Sequence, residues 1–196
     1  SLRSVTIPSS VKTIGKYAFE SCRDLRSITI PSSVTYIGES AFDTCKSLKS
    51  VTIPKSVTYI GESAFSSCTS LKSVTIPNSV TCIGNGAFWR CKSLTSITIP
   101  SSVTSIGEGA FSECDNLAEI KVDSGNPVYD SRDNCNAIIE TKSNTLIFGC
   151  ESTIIPSSVT SIGESAFLWC SSLTQIQVAP DNPVYDSRDN CNAIIE

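Results

Sequence analysis

Residues 25–47 read LRSITIPSSVTYIGESAFDTCKS, and this 23-residue pattern runs through most of the 196-residue chain. Leucine recurs at 2, 25, 48, 71, 94 and 117 in constant steps of 23, and again at 173 after a step of 56. A fixed period of this length is the mark of a repeat architecture, in which one unit cannot bury its own apolar face and must stack on copies of itself. Within the unit, Ile28 and Ile30 alternate with Ser27 and Thr29, which predicts a short strand with one buried face. Pro31 and its equivalents at 8, 54, 77, 100 and 156 lack the N–H that a ladder needs, so each marks the end of a strand. Val34 and Ile37 turn a second apolar edge inward. Gly38, with Gly15, Gly61, Gly84, Gly107 and Gly163, follows where the chain bends back, and a positive φ is expected there. Ala41 and Phe42 supply a small residue for close approach and a large one to fill the middle of the coil.

The chain departs from this unit at 123–155, an insertion that separates the strand around Ile120 from Pro156. The stretch NPVYDSRDNCNAIIE occurs at 126–140 and again at 182–196, offset by the same step of 56, so the insertion belongs to a longer repeat. Between Cys135 and Cys150, two apolar runs flank a Thr-Lys-Ser-Asn turn. They predict a hairpin with the two cysteines opposite each other, at a separation that suits a disulfide in an oxidising compartment; two free thiols are the other outcome. The organisation expected is regular 23-residue repeats over 1–122, a hairpin-containing long repeat over 123–155, and a further repeat with a truncated second copy of the insertion over 156–196, all in one continuous solenoid. The absence of any Met or leader, and a stop before the last hairpin's second strand, point to a segment of a longer polypeptide.

The stretch IGESAFDTCKSLKSVTIP at 37–54 and its copies resemble the BspA-like class of leucine-rich repeat, and the likeness covers nearly the whole chain. The resemblance implies an α/β leucine-rich-repeat solenoid, right-handed and curved, with a parallel β-sheet on the concave face and short strands or helical turns on the convex face. It also implies an extracellular or cell-surface protein of a bacterium or a parasitic protist, since several members adhere to host matrix proteins.

Ten cysteines suggest metal or disulfide chemistry, yet Cys22, Cys45, Cys68, Cys91 and Cys114 recur in the same steps of 23, with Cys170 following after a step of 56. Such spacing predicts a ladder of buried thiols donating weakly to loop carbonyls. With no CxxC pair and no His, the chain carries no zinc signature, and no cofactor is expected. Cys82, which stands where other repeats carry Tyr36, Tyr59 or Ser105, and Cys191 are expected to be free thiols. No Ser-His or Cys-His pair is available for nucleophilic catalysis, so the chain is read as a non-enzyme and its serines as surface residues. Asp130, Asp133, Asp186 and Asp189 lie in two copies of YDSRDN, which lacks a calcium-loop pattern and predicts Asx turns with ion pairs to Arg132 or Arg188.

Charge is unevenly spread, with eleven Lys and Arg against five Asp and Glu in residues 1–100, and four against fourteen in residues 101–196. The basic residues form no dense run with interleaved aromatics, which argues against nucleic-acid binding. No apolar run approaches the roughly 20 residues that cross a bilayer, so no membrane insertion is expected of this segment. Repeat arithmetic aligns Arg3, Arg26, Lys49 and Lys72 in one column. It aligns Ser27, Ser50 and Ser73 in a second, and Thr29, Thr52 and Thr75 in a third, while Glu39, Glu62, Glu108 and Glu164 form an acidic column elsewhere. Solenoids bind along extended concave surfaces, so the basic and hydroxyl columns are the candidate face for a host or neighbouring-cell surface or matrix protein, or a glycan. A merely solvated sheet face is the plain alternative. A structural spacer, self-associating through uncapped ends, is the rival function.

Overall fold

The computed structural model describes residues 2–168, 170–171 and 173–187 as a stack of β-rungs. Strands Ser27–Thr29, Ser50–Thr52 and Ser73–Thr75 pair in parallel, each residue facing its counterpart 23 positions on. Ser96–Ile99 and Glu119–Val122 pair in the same register, and Thr6 bridges to Thr29. Ile28, Val51, Val74, Ile97 and Ile120 point inward and are buried, while Ser27, Thr29 and their copies through Thr75 are exposed. The alternation read from the sequence is thus the alternation of the pleat. After the proline turn, Thr13–Ile14, Tyr36–Ile37, Tyr59–Ile60, Cys82–Ile83 and Ser105–Ile106 form a second parallel sheet of two-residue strands.

The α/β character implied by the resemblance is corrected here. Among the described residues no α-helix is present, and the one helical element is the 3-10 turn Arg132–Asn134. The reason lies in the segment after the glycine. Ser40 and Thr44 have φ of 50° and 59°, and their equivalents Ser63, Ser67, Gly86, Arg90, Gly109 and Glu113 also lie in the left-handed region. A chain that visits this region every four residues cannot propagate a right-handed helix. Its N–H groups instead reach the next rung: Ser40, Phe42 and Thr44 donate to the carbonyls of Glu62, Ala64 and Ser66 at 2.8, 2.7 and 2.8 Å.

The positive φ expected at Gly38 and its copies is also corrected: none of these glycines has one, and from Gly15 to Gly107 it falls two residues later. At Gly38, Gly61, Gly84 and Gly107 glycine is needed for closeness, whereas a Cβ on Gly15 would meet nothing within 4 Å and one on Gly163 nothing nearer than 3.3 Å. A Cβ on Gly61 would sit 2.5 Å from the carbonyl carbon of Gly38 and 2.7 Å from the N of Glu39. The backbones of successive rungs touch here, and no side chain fits between them.

Inside the coil, Phe19, Phe42, Phe65, Phe88 and Phe111 stack face to face, with centroids 5.1–5.6 Å apart and planes within 8°. Ser33, Ser56, Ser79 and Ser102, expected at the surface, are half-buried, and each donates to a valine carbonyl of the rung before at 2.5–2.7 Å. These hydroxyls therefore join rungs, in a place where an unpaired carbonyl would be costly to bury.

The long repeat folds into one irregular rung. Ala137–Glu140 and Thr145–Gly149 form the predicted antiparallel hairpin, with a register shift between Ile138 and Ile139. The second strand continues in parallel with Ser161–Ile162. The hairpin is a partition: Ile138, Phe148 and Cys150 join the core of the preceding rungs, whereas Cys135, Ala137, Ile139 and Leu146 join a second core with Ile155, Val159 and Ala166. Phe148 takes its place after Phe111 at 5.7 Å but tilted by 53°, so the aromatic stack breaks there. The turn into the insertion is held by Asn126, whose Nδ2 donates to the carbonyls of Pro100 and Val103 while its Oδ1 accepts from the N–H of Val128 and Tyr129. Asn182 makes the same four bonds in the second copy of the motif.

Phe65→Ala is expected to lower stability by about 3–5 kcal/mol by opening a cavity in mid-stack, and Gly61→Ala by about 1–3 kcal/mol by forcing rungs apart. Ser73→Ala should stay within about 0.5 kcal/mol. Urea midpoints of the three variants test this ordering.

Candidate functional site

The outer face of the Ser-x-Thr sheet is built by rung stacking. Arg26 N–H donates to the carbonyl of Arg3, Lys49 to Arg26 and Lys72 to Lys49, at 3.3, 3.1 and 3.2 Å. These bonds hold the four basic residues in one column at a rung spacing of about 4.8 Å. All four are exposed, and among the described residues none forms an ion pair. Beside them run the exposed hydroxyls of Ser27, Ser50 and Ser73, then those of Thr29, Thr52 and Thr75. Past the threonines the surface dips into a groove of about 760 Å³, lined by Thr52, Ile53, Pro54, Thr75, Ile76 and Pro77. The proline that ends each strand thus also forms one wall of a groove. The basic column ends at the next rungs, where Thr95 and Ala118 take its place, and Lys121 is paired to Glu119 at 2.5 Å across the sheet face.

The acidic column lies apart from this face and is partly engaged. Glu39 pairs with Lys16 at 2.7 Å and accepts from Tyr17 Oη, and these hydrogen bonds, Lys16 first, hold its carboxyl below the usual range. Glu108 accepts from Ser165 Oγ at 2.9 Å. An aromatic surface feature was missed in the sequence: exposed Tyr36 and half-buried Tyr59 stack at 5.0 Å on the second sheet. Their regular spacing, one repeat apart, was the available signal.

The cysteine column forms the expected ladder. Cys45, Cys68, Cys91 and Cys114 each point Sγ at the carbonyl of the phenylalanine in the preceding rung, at 3.2–3.3 Å. Burial is the main reason their thiols resist ionisation: Cys45 and Cys114 are pushed up to about 12, and Cys68 and Cys91 well above the normal value. Such thiols are neither nucleophiles nor metal ligands at neutral pH. Cys82 is a half-buried free thiol, as expected, while Cys191, Arg188 and Asp189 lie outside the described residues.

Of the two outcomes open for Cys135 and Cys150, a disulfide or two free thiols, the structure has the second, and both thiols are buried. The hairpin register explains it. Ala137 faces Gly149, so Cys150 lies across from Asn136, whose carbonyl its sulfur approaches at 3.6 Å. Cys135, one residue away, faces the other side of the partition and belongs to the other core. In the same rung Asp130 makes the predicted Asx turn and ion pair, accepting from the N–H of Arg132 at 3.1 Å and from its guanidinium at 2.5 and 2.8 Å. Burial opposes ionisation of Asp130, but the bonds from Arg132 outweigh it and hold the carboxyl below its usual range. No group of three or more His, Cys, Asp or Glu able to hold a metal occurs among the described residues, nor does any helix long and apolar enough to cross a membrane.

The family model described as BspA type leucine rich repeat region matches residues 1–118 and 138–190 in six copies. No curated protein sequence matches the chain. Among solved structures, a leucine rich cell surface protein from Faecalibacterium prausnitzii A2-165 is similar over 90% of this chain and 60% of its own, at 31% identity and a TM-score of 0.64. The pneumococcal vaccine antigen PcpA is similar over 91% of this chain and 45% of its own, at 26% identity and a TM-score of 0.71. A leucine-rich repeat protein from Eubacterium ventriosum ATCC 27560 is similar over 84% of this chain and 50% of its own, at 26% identity and a TM-score of 0.63. The chain therefore spans 60% or less of the length of each.

A thiol whose folded pKa is raised keeps its proton where the unfolded chain has lost it. Stability from Cys45 and Cys114 is therefore full below about pH 9, the unfolded value, and is lost as pH rises towards about 12. The urea midpoint should be flat from pH 7 to 8 and fall above pH 9, and Cys68→Ala should make that fall shallower. A midpoint insensitive to alkali would count against buried thiols in the ladder.

Proposed function

Starting from a chain that belongs to the BspA type leucine-rich repeat family, we propose that it is a non-enzymatic recognition or adhesion segment, extracellular or at the cell surface, which contacts a protein or glycan through the Ser-x-Thr face. The observation that carries this reading is the column Arg3, Arg26, Lys49 and Lys72, exposed, stacked and without counter-charge among the described residues. Two like charges about 5 Å apart repel by about 0.8 kcal/mol even in bulk water. A folded chain alone gains nothing from keeping four in line, whereas an anionic partner would relieve the repulsion along the whole column at once. The hydroxyl columns beside it offer donors and acceptors at regular spacing, and the groove beyond them offers apolar contact. Each contact is weak, and their repetition supplies affinity and tolerance of partner sequence. The name of the Faecalibacterium structure as a cell surface protein, and of PcpA as a vaccine antigen, is in keeping with such a location.

Immobilised extracellular-matrix proteins and acidic glycans should capture the protein, more weakly as salt rises. Changing Arg26, Lys49 and Lys72 together to Glu should abolish capture while leaving the urea midpoint close to that of the parent. No capture at any salt concentration would replace this reading with that of a structural spacer.

A further inference from the structure

The irregular rung leaves a gap in the turn edge of the solenoid. In a regular rung, five residue steps lead from Ile37, in the second sheet, to Phe42, whose N–H donates to Ala64. In the hairpin rung the corresponding pair is Leu146, which faces Ile162, and Gly149, whose N–H donates to Ala166. That is three steps, so the rung is two residues short at the place where Glu39 and Ser40 project in their own rung. The result is a cleft of about 380 Å³ between Gly107–Phe111 on one wall and Gly163–Ser165 on the other, with Tyr129, Ile147 and Phe148 at its base.

The walls of this cleft present unspent backbone groups. Ser40, Ser63 and Gly86 donate N–H to Glu62, Asn85 and Glu108, but their equivalent Gly109 has no acceptor among the described residues. Phe111, equivalent to Phe42, likewise has none, and the carbonyl of Glu164 receives no donor where that of Glu39 receives Tyr17 N–H. The charged side chains are of one sign: Glu108, Glu140 and Glu164 line the cleft, with no Lys or Arg among the lining residues, and Glu108 accepts from the Ser165 hydroxyl of the opposite wall, a bond that an entering cation would compete with.

We propose that the cleft takes a short extended peptide segment bearing lysine or arginine from a partner protein, which completes the missing edge of the rung. Its carbonyls accept from Gly109 and Phe111, its N–H donates to Glu164, and its cationic side chain meets Glu108, Glu140 and Glu164. This is strand addition at an open edge, with main-chain bonds giving affinity and carboxylates giving selectivity for basic residues. A bare cation would satisfy the carboxylates but leave the backbone groups unused, and an acidic peptide would be repelled. The site lies apart from the Ser-x-Thr face and does not depend on ligand binding there.

The test is a fluorescence-anisotropy titration of the whole chain with labelled acetyl-Ser-Lys-Val-Lys-Ser-amide, compared with the same peptide carrying Glu for Lys. The Lys peptide should bind at least tenfold more tightly than the Glu peptide. Glu108→Gln with Glu164→Gln should weaken it at least tenfold, as should Ser165→Trp, which fills the cleft. Lys72→Glu, on the other face, should change it less than twofold. If Ser165→Trp lowers the urea midpoint, the double Gln variant carries the comparison. No binding of the Lys peptide, binding untouched by the cleft variants, or displacement by spermidine at equal concentration would each overturn the proposal.

Discussion

Everything in this molecule depends on the hydrogen bond that Phe42 N–H gives to the carbonyl of Ala64, and on its copies above and below. These bonds run from rung to rung through the turn segment, whereas a helix would have spent the same groups within itself. They require two things of the backbone: left-handed residues on either side of the phenylalanine, and a glycine nearby at which neighbouring backbones touch. Once they are made, each side chain sits above its own copy. The Phe stack, the cysteine-to-carbonyl bonds and the serine-to-valine bonds all follow from that superposition.

The same superposition acts outside the core, where some columns attract, as Lys16 with Glu39 and Tyr36 with Tyr59 do, and others do not. It lines up Arg26, Lys49 and Lys72 as strictly as it lines up Phe42, Phe65 and Phe88, although stacked cations repel while stacked rings attract. Inside, repetition supports the fold. On the surface it concentrates one chemistry into a stripe, and a stripe suits a large or repetitive partner better than a small molecule.

The hairpin rung shows what happens when the repeat is interrupted. The core is closed by Phe148 and Cys150 on one side and by Cys135 and Ile139 on the other, so burial continues through the break. The turn edge is not closed, because the rung is too short to reach it, and backbone groups that are satisfied elsewhere remain open there. Asn126 and Asn182 hold the entry to each long repeat with four bonds from one amide, which accounts for the asparagine that opens both copies of the motif.

Much of this was legible in the residues. The 23-residue period, the inward Ile28 beside outward Ser27 and Thr29, the Phe column, the thiol ladder and the hairpin all follow from spacing, because an apolar residue at a fixed interval has only one face to bury. Other features needed the coordinates. The letter Gly at position 61 stands equally for a positive φ or a close approach, and only the neighbouring rung shows which. Ser32 and Ser33 are the same residue type side by side, yet one is exposed and the other bonds to Val11, since the turn geometry aims only one inward. Cys135 and Cys150 bracket a hairpin, but a one-residue difference in register sends them into separate cores. The cleft beside Gly109 comes from a deficit of two residues measured between rungs far apart in the chain, a distance that exists only once the chain has stacked. Periodicity specifies what each rung contains; the contacts between rungs depend on register, and register is a relation between segments that no single stretch of sequence carries.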